Sequence, residues 1–119
     1  MEIKVFDSEL KVMEVLWKEG DLTAGQLAKI LKEQIGWNRN TTYTIIKKLI
    51  DKGAIERREP NFICHALLKR EQVQEMETTE LINKVFAGSV DLLFASLLKR
   101  KNLPEDEIER LMEIIKKSE

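Results

Sequence analysis

Hydrophobic residues recur at helical spacing in three consecutive segments of the first half of the chain. In residues 8–19 and 23–35 the apolar positions lie three and four residues apart, which predicts two amphipathic helices. Thr23, with a glutamine three residues later, forms the capping-box pattern that begins the second of these helices. A third helix is predicted for residues 38–52, and a glycine follows each of the three segments, as is common where helices end.

The third predicted helix begins with an unusual run of polar residues. Residues 38–44 read NRNTTYT, and most of these residue types are weak helix formers. Asn38 or Asn40 is the predicted N-cap. Helical spacing puts Thr42 on the apolar side, where we expect it to pack. The opposite side holds Asn40, Tyr43, Thr44, Lys47 and Asp51. The asparagines and threonines of residues 38–44 are weak helix formers, but their short side chains donate and accept hydrogen bonds. Such a helix start is typical of a helix that contacts base edges.

A short β-hairpin is predicted directly after the third helix. Residues 54–59 and 62–67 are compatible with strands, and the turn pair Pro60-Asn61 separates them. Three helices followed by a hairpin is the winged helix-turn-helix layout, in which the third helix enters the major groove and the wing contacts the flanking backbone. The sequence therefore predicts a winged-helix DNA-binding domain at residues 1–69.

Residues 70–119 are predicted to form a helical dimerisation region. One helix spans roughly residues 70–87, a second follows Ser89, and a third spans residues 105–117 after a break at Asn102-Leu103-Pro104. The second helix carries more leucine than one stripe within a single chain can bury, so we expect it to meet a second copy. The alternative is that the winged-helix domain covers this surface. The predicted dimerisation residues are Val85, Phe86, Leu92, Leu93, Phe94, Leu97, Leu98, Ile108, Leu111 and Ile115.

Positive charge is concentrated around the third helix and the hairpin. The whole 119-residue chain has a net charge of −1, yet residues 37–58 hold six basic and two acidic side chains, a net charge of +4. Such a patch suits a phosphate backbone, although a solvated helix face gives the same pattern. The predicted DNA-binding residues are Arg39, Asn40, Thr41, Tyr43, Thr44, Lys47, Lys48, Arg57 and Arg58.

The composition, 43% hydrophobic and 34% charged, is that of a globular protein. No motif in the sequence predicts a cofactor or a metal site. Cys64 and His65 are the single residues of their types, and as strand neighbours they point to opposite faces. They therefore form neither a zinc site nor a nucleophile–base pair. Because no apolar run resembles a signal peptide or a membrane span, we expect a cytoplasmic protein.

Four segments carry a resemblance to a known family. They are SELKVMEVLWKEGDLTAGQL, WNRNTTYTIIKKLIDKGAI, INKVFAGSVDLLFASLL and LPEDEIERLMEII, spread between Ser8 and Ile115. Together they resemble the penicillinase repressor family, which includes the repressors of β-lactamase and methicillin-resistance genes. The resemblance implies a homodimeric repressor on an inverted-repeat operator, with residues 39–52 as recognition helix. It implies DNA reading by Thr41, Tyr43 and Thr44, and places Arg57 and Arg58 at the start of the wing.

The chain departs from the family where the family responds to its signals. The antibiotic-resistance repressors are cut at an Asn-Phe bond in the leucine-rich helix, whereas residues 92–100 here read LLFASLLKR. The family also includes a copper-responsive branch, which ends in a cysteine-rich tail, whereas this chain ends in MEIIKKSE. The resemblance therefore leaves the inducing signal open, and an inactivating protease or signalling partner is one possibility for release.

A protein-interaction module and an enzyme are the two alternatives to DNA reading. A winged helix can serve as a protein-interaction module, since fold alone does not decide function. An enzyme would need a constellation of catalytic groups, and the acidic residues 105–109 are more simply explained by the helix dipole. The local positive charge and the polar helix start favour DNA over both alternatives.

Overall fold

The computed structural model describes residues 3–100 and 104–117. Its elements follow the order that the sequence predicts, with one addition in the sheet. They are α1 (Asp7–Glu19), β1 (Leu22–Thr23), α2 (Ala24–Ile35), α3 (Arg39–Asp51), β2 (Ile55–Arg58), β3 (Ile63–Ala66), α4 (Arg70–Val85), α5 (Val90–Leu98) and α6 (Glu105–Lys117).

The helices α2 and α3 begin after residues whose side chains accept hydrogen bonds from the first free N–H groups. Thr23 accepts a hydrogen bond from the backbone N–H of Gln26 at 3.1 Å, and the Gln26 side chain accepts one from the N–H of Thr23 at 2.9 Å. This confirms the predicted capping box. Asn38 is the N-cap of α3, and Gly36 ends α2 in the left-handed conformation that a glycine adopts without strain.

The sheet has three strands, in the order β1-β3-β2, with antiparallel pairing. The β2–β3 hairpin was predicted, but β1 was not. Its two residues pair with Cys64 and Ile63 of β3. A strand of this length shows no alternation that a sequence pattern can reveal, and only its partner strand makes it a strand.

The core lies beneath α1, α2, α3 and the sheet. Its most buried side chains include Met13, Leu27, Leu31, Ile46, Leu49 and Ile55. Thr42 is fully buried, which confirms its predicted packing role. Cys64 is also fully buried. Val73 and Met76, from the first turns of α4, pack against the same core.

The chain divides into two compact units, Met1–Glu77 and Thr78–Glu119. The predicted domain boundary at residues 69 and 70 stays a prediction. In the second unit Ser89 accepts a hydrogen bond from the N–H of Leu92 at 3.2 Å, which confirms it as the cap of α5. Within the predicted break, Asn102 and Leu103 lie outside the described residues.

Neither α5 nor α6 contains a buried residue. Large apolar side chains are exposed instead in these two helices, among them Val90, Leu92, Phe94, Leu98, Leu111 and Ile115, and so is Val85 at the end of α4. In the described part of the chain no single helix is long and apolar enough to cross a membrane. The helices α4 and α5 pass that test of length and composition only together, with a bend of 89° between them.

Candidate nucleic-acid interface

The helix α3 has one buried side and one polar, exposed side. Thr42, Ile45, Ile46 and Leu49 are buried. The exposed side carries Arg39, Asn40, Thr44, Lys47 and Lys48. Because the apolar side anchors the helix in the core, the polar side is held outward in a fixed orientation, as a recognition helix requires.

The amino terminus of α3 is capped by the side chain of Asn38. The Asn38 side-chain oxygen accepts hydrogen bonds from the Thr41 backbone N–H at 2.8 Å and from the Thr41 hydroxyl at 3.0 Å. These bonds account for the weak helix formers at this end, since they supply part of the stability that propensity does not. The second bond uses the hydroxyl proton of Thr41. The predicted contact of Thr41 with DNA stays a prediction.

Tyr43 is half-buried rather than fully exposed on the polar side. Its hydroxyl accepts a hydrogen bond from the Arg39 guanidinium at 2.7 Å. Its ring meets the ring of Phe62 edge to face, with centroids 5.9 Å apart and planes at 89°. Phe62 lies at the tip of the wing and is not among the DNA-binding residues that the sequence predicts. The sequence feature that could have identified it is its place directly after the Pro60-Asn61 turn pair.

The two wing arginines point to opposite faces of the hairpin, as neighbours on a strand must. Arg57 lies opposite buried Cys64 in the register of β2 and β3. Its guanidinium carbon lies 3.7 Å from the centroid of the Phe62 ring, and its Nε donates to Glu59 Oε1 at 2.5 Å. The hydrogen bond from Arg57 holds the pKa of Glu59 below its ordinary value.

Arg58 belongs to a network of charges on the outer face of the sheet. Its Nε donates to Glu56 Oε1 at 2.6 Å, and Asp21 Oδ2 lies 3.8 Å from its terminal nitrogen. Asp21 Oδ1 also lies 2.8 Å from Nδ1 of His65. The hydrogen bond and charge of Arg58 lower the pKa of Glu56, and the same hydrogen bond raises the pKa of Arg58. Both arginines of the wing are therefore paired with acids. The alternation of acids and arginines in ERRE, residues 56–59, is the sequence signal that could have predicted these pairs.

Lys52 contributes to the positive charge of residues 37–58 but not to the exposed side of α3. Its Nζ lies 2.6 Å from the buried Glu9 carboxylate and donates to the Lys4 carbonyl oxygen at 2.9 Å. Glu9 is only 2% exposed. The pair ties the carboxyl end of α3 to the start of α1, so the cations left on the exposed side are fewer than the sequence count implied.

Cys64 is buried in the folded chain, and its thiol is held in the protonated form. Burial raises the pKa of its thiol to about 11, and the charge of Arg57 opposes this shift only in part. The thiolate is the form that binds metals, so burial disfavours the form of Cys64 that a metal ligand takes. Among the described residues, no group of His, Cys, Asp and Glu side chains is arranged to hold a metal ion.

Comparisons with known proteins place these features in a family. The sequence profile of the penicillinase repressor family matches residues 6–117. The methicillin resistance regulatory protein MecI of Staphylococcus aureus strain N315 is 28% identical over 116 residues, covering 96% of this chain and 94% of its own. The penicillinase repressor of Bacillus licheniformis is 25% identical over 114 residues, covering 94% and 89%.

Solved structures agree with the winged-helix fold. The DNA-binding domain of the repressor BlaI matches with a TM-score of 0.55 and 26% identity, covering 59% of this chain and 88% of that domain. The Bacillus licheniformis BlaI monomer in complex with the blaP half-operator matches with a TM-score of 0.53 and 27% identity, covering 60% and 90%. The profile match spans nearly the whole sequence, so this chain belongs to the penicillinase repressor family.

Proposed function

We propose that this chain is a transcriptional repressor that binds operator DNA sequence-specifically, with α3 as the recognition helix and the β2–β3 hairpin as the wing. The observation that carries the proposal is the division of α3 into a buried apolar side and an exposed side of amides, hydroxyls and cations. Membership of a repressor family supports it, as does the likeness to BlaI bound to a half-operator. The proposed function involves no catalysis.

The exposed residues divide by the chemistry that they offer DNA. Asn40 and Thr44 carry short donors and acceptors that suit base edges. Lys47 and Lys48 are exposed, and among the described residues neither is ion-paired with a carboxylate, so we assign them to phosphates. Arg57 and Arg58 are assigned to the flanking backbone, where a phosphate takes the place of the Glu59 or Glu56 carboxylate.

Two substitutions test this division. Thr44→Ala is expected to weaken binding to the operator by about 1–3 kcal/mol while leaving random duplex DNA almost unchanged, because a base contact is lost. Arg58→Ala is expected to weaken both equally and to reduce the salt slope by about one. Thr79→Ala, an exposed threonine on α4, is the matched control and should change neither. Equal losses on both DNAs for Thr44→Ala would contradict its role in reading.

We further infer that the repressor is a homodimer on an inverted-repeat operator. The support is the apolar surface of α5 and α6, which the described part of the chain leaves exposed. Exposed apolar surface of this extent marks an interaction site, and a second copy is the partner that a two-fold symmetric operator requires. The predicted dimerisation residues, Leu93 and Leu97 among them, are assigned to this interface.

Leu93→Asp is expected to split the dimer and lower operator affinity, because one half-site gives few contacts. Leu93→Met keeps an apolar side chain of similar volume and serves as the control. Light scattering at micromolar concentration measures the mass of each variant. A monomeric wild type that still binds the full operator would rule the dimer out.

Selection of bound duplexes from a random pool separates DNA reading from the alternative of a protein-interaction module. An enriched motif with two-fold symmetry is the expected result, and its binding should fall steeply with salt. A pool without enrichment, together with weak and salt-insensitive binding, would favour the module. A repressor of this kind acts where the genome is, so we place it in the cytoplasm. Release by a protease or a signalling partner belongs to the same proposal.

A further inference from the structure

Four side chains form a continuous row from the first turn of α3 to the wing. The Arg39 guanidinium carbon lies 4.7 Å from the centroid of the Tyr43 ring, and Arg39 also donates a hydrogen bond to the Tyr43 hydroxyl. Tyr43 meets Phe62 edge to face, and Arg57 lies over the ring of Phe62. Each neighbouring pair has a favourable quadrupole or cation–π geometry, so the row is held by attraction at every step.

Two hydrogen bonds hold the backbone of Phe62. The Phe62 carbonyl oxygen accepts a hydrogen bond from the N–H of Ala24, the first residue of α2, at 2.9 Å. Its own N–H donates to Glu59 Oε2 at 3.3 Å. With the backbone held on both sides, the ring packs between the Tyr43 ring and the Arg57 guanidinium.

Arg39 differs from the two wing arginines in what it pairs with. Arg57 is paired with Glu59, and Arg58 with Glu56. In the described part of the chain Arg39 is ion-paired with no carboxylate, and Tyr43 is its hydrogen-bond acceptor. The guanidinium is therefore oriented without being neutralised, and most of its N–H groups stay available to a ligand.

Arg39 is also the first helical residue of α3. The amino-terminal residues of a recognition helix are the ones that approach base edges in the major groove. A guanidinium whose plane is already held by an aromatic ring gives up little freedom when it pairs with O6 and N7 of guanine, the commonest arginine contact to a base.

We propose that Arg39 reads a guanine in each half-site and that Phe62, acting through Tyr43, is the positioning residue that orients Arg39 for that contact. This inference rests on the proposed function, because it needs a recognition helix in a major groove. It gives the wing a part in base discrimination besides its phosphate contacts.

Selection from a random duplex pool tests the proposal when it is run in parallel on wild type and variants. Arg39→Ala is expected to lose the preference for one G·C pair per half-site, with discrimination there falling about tenfold to a hundredfold. Phe62→Leu and Tyr43→Phe are expected to lower discrimination at the same pair by roughly threefold to tenfold and at other pairs little. Phe62→Tyr keeps the ring and should restore the wild-type motif.

Phe6→Leu is the matched control, because Phe6 also has a cation over its ring, the Lys52 ammonium at 4.4 Å, but lies outside the interface. It should leave every position of the motif unchanged, and circular dichroism confirms that each variant is folded. A Phe62→Leu variant that weakens all duplexes alike, or an Arg39→Ala variant that keeps full discrimination, would overturn the inference. A wild-type pool without any motif would instead contradict the proposed function itself.

Discussion

Replacing Thr42 by valine is expected to stabilise the protein, because the Thr42 hydroxyl is buried without a hydrogen-bond partner among the described residues. The side chain is 0% exposed and lies on the side of α3 that faces the core. Valine has nearly the same shape and a similar helix propensity, so the substitution removes an unpaired polar group and changes little else.

The expected gain follows from the cost of burying that hydroxyl. An unsatisfied buried polar group costs about 1–3 kcal/mol, and the lower end of this range suits a single hydroxyl. A gain of about 1 kcal/mol raises the melting temperature of a small domain by roughly 4–8 °C. The exposed side of α3 is untouched, so operator affinity should not change.

Thermal unfolding followed by circular dichroism at one protein concentration measures the shift, since dimerisation makes the melting temperature depend on concentration. Thr41→Val is the matched control, because its hydroxyl donates to Asn38 at 3.0 Å. Losing this hydrogen bond should lower the free energy of unfolding by up to about 1 kcal/mol. A Thr42→Val protein that melts at or below the wild-type temperature would refute the reasoning, since it would mean that the hydroxyl is satisfied in solution.

Three further predictions concern charged and titrating groups. Glu56→Gln should raise affinity for operator and random DNA alike by up to about fivefold in a filter-binding assay, because it releases Arg58 from a surface ion pair; unchanged affinity would show that the pair does not compete with phosphate. Glu9→Gln should lower the free energy of unfolding, measured in urea, by about 1–3 kcal/mol. The reason is that Lys52, whose side chain is 28% exposed, loses its buried carboxylate partner. Adding Lys52→Met should recover part of that loss, and a fully additive double variant would argue against coupling. The pKa of Cys64 is raised to about 11 from an ordinary value of 9.0, so the unfolded chain loses that proton first. Because of this group, the free energy of unfolding should fall by about 1.4 kcal/mol per pH unit as the pH rises from 9.0 to about 11. The Cys64→Ala variant should lack this part of the pH dependence.

Much of the fold was predictable because its signals are local. The capping box at Thr23 and the N-cap at Asn38 each join residues three positions apart. The buried and exposed sides of α3 follow from helical spacing, which is why Thr42 could be assigned to the core and Thr44 to the surface. The family could be recognised for the same reason, since its motifs are short patterns of neighbouring residues.

The partners of the charged and aromatic side chains were decided by the tertiary structure. Lys52 and Glu9 lie 43 positions apart in the sequence, and His65 and Asp21 lie 44 apart. No spacing rule connects residues at such distances, because their contact depends on how α1, α3 and the sheet pack together. Sequence alone showed that residues 37–58 are basic. Only the packed fold turned Lys52 inward, separated Arg57 from Arg58 and brought Phe62 against Tyr43, since a side chain finds its partner only after the elements that carry both have docked.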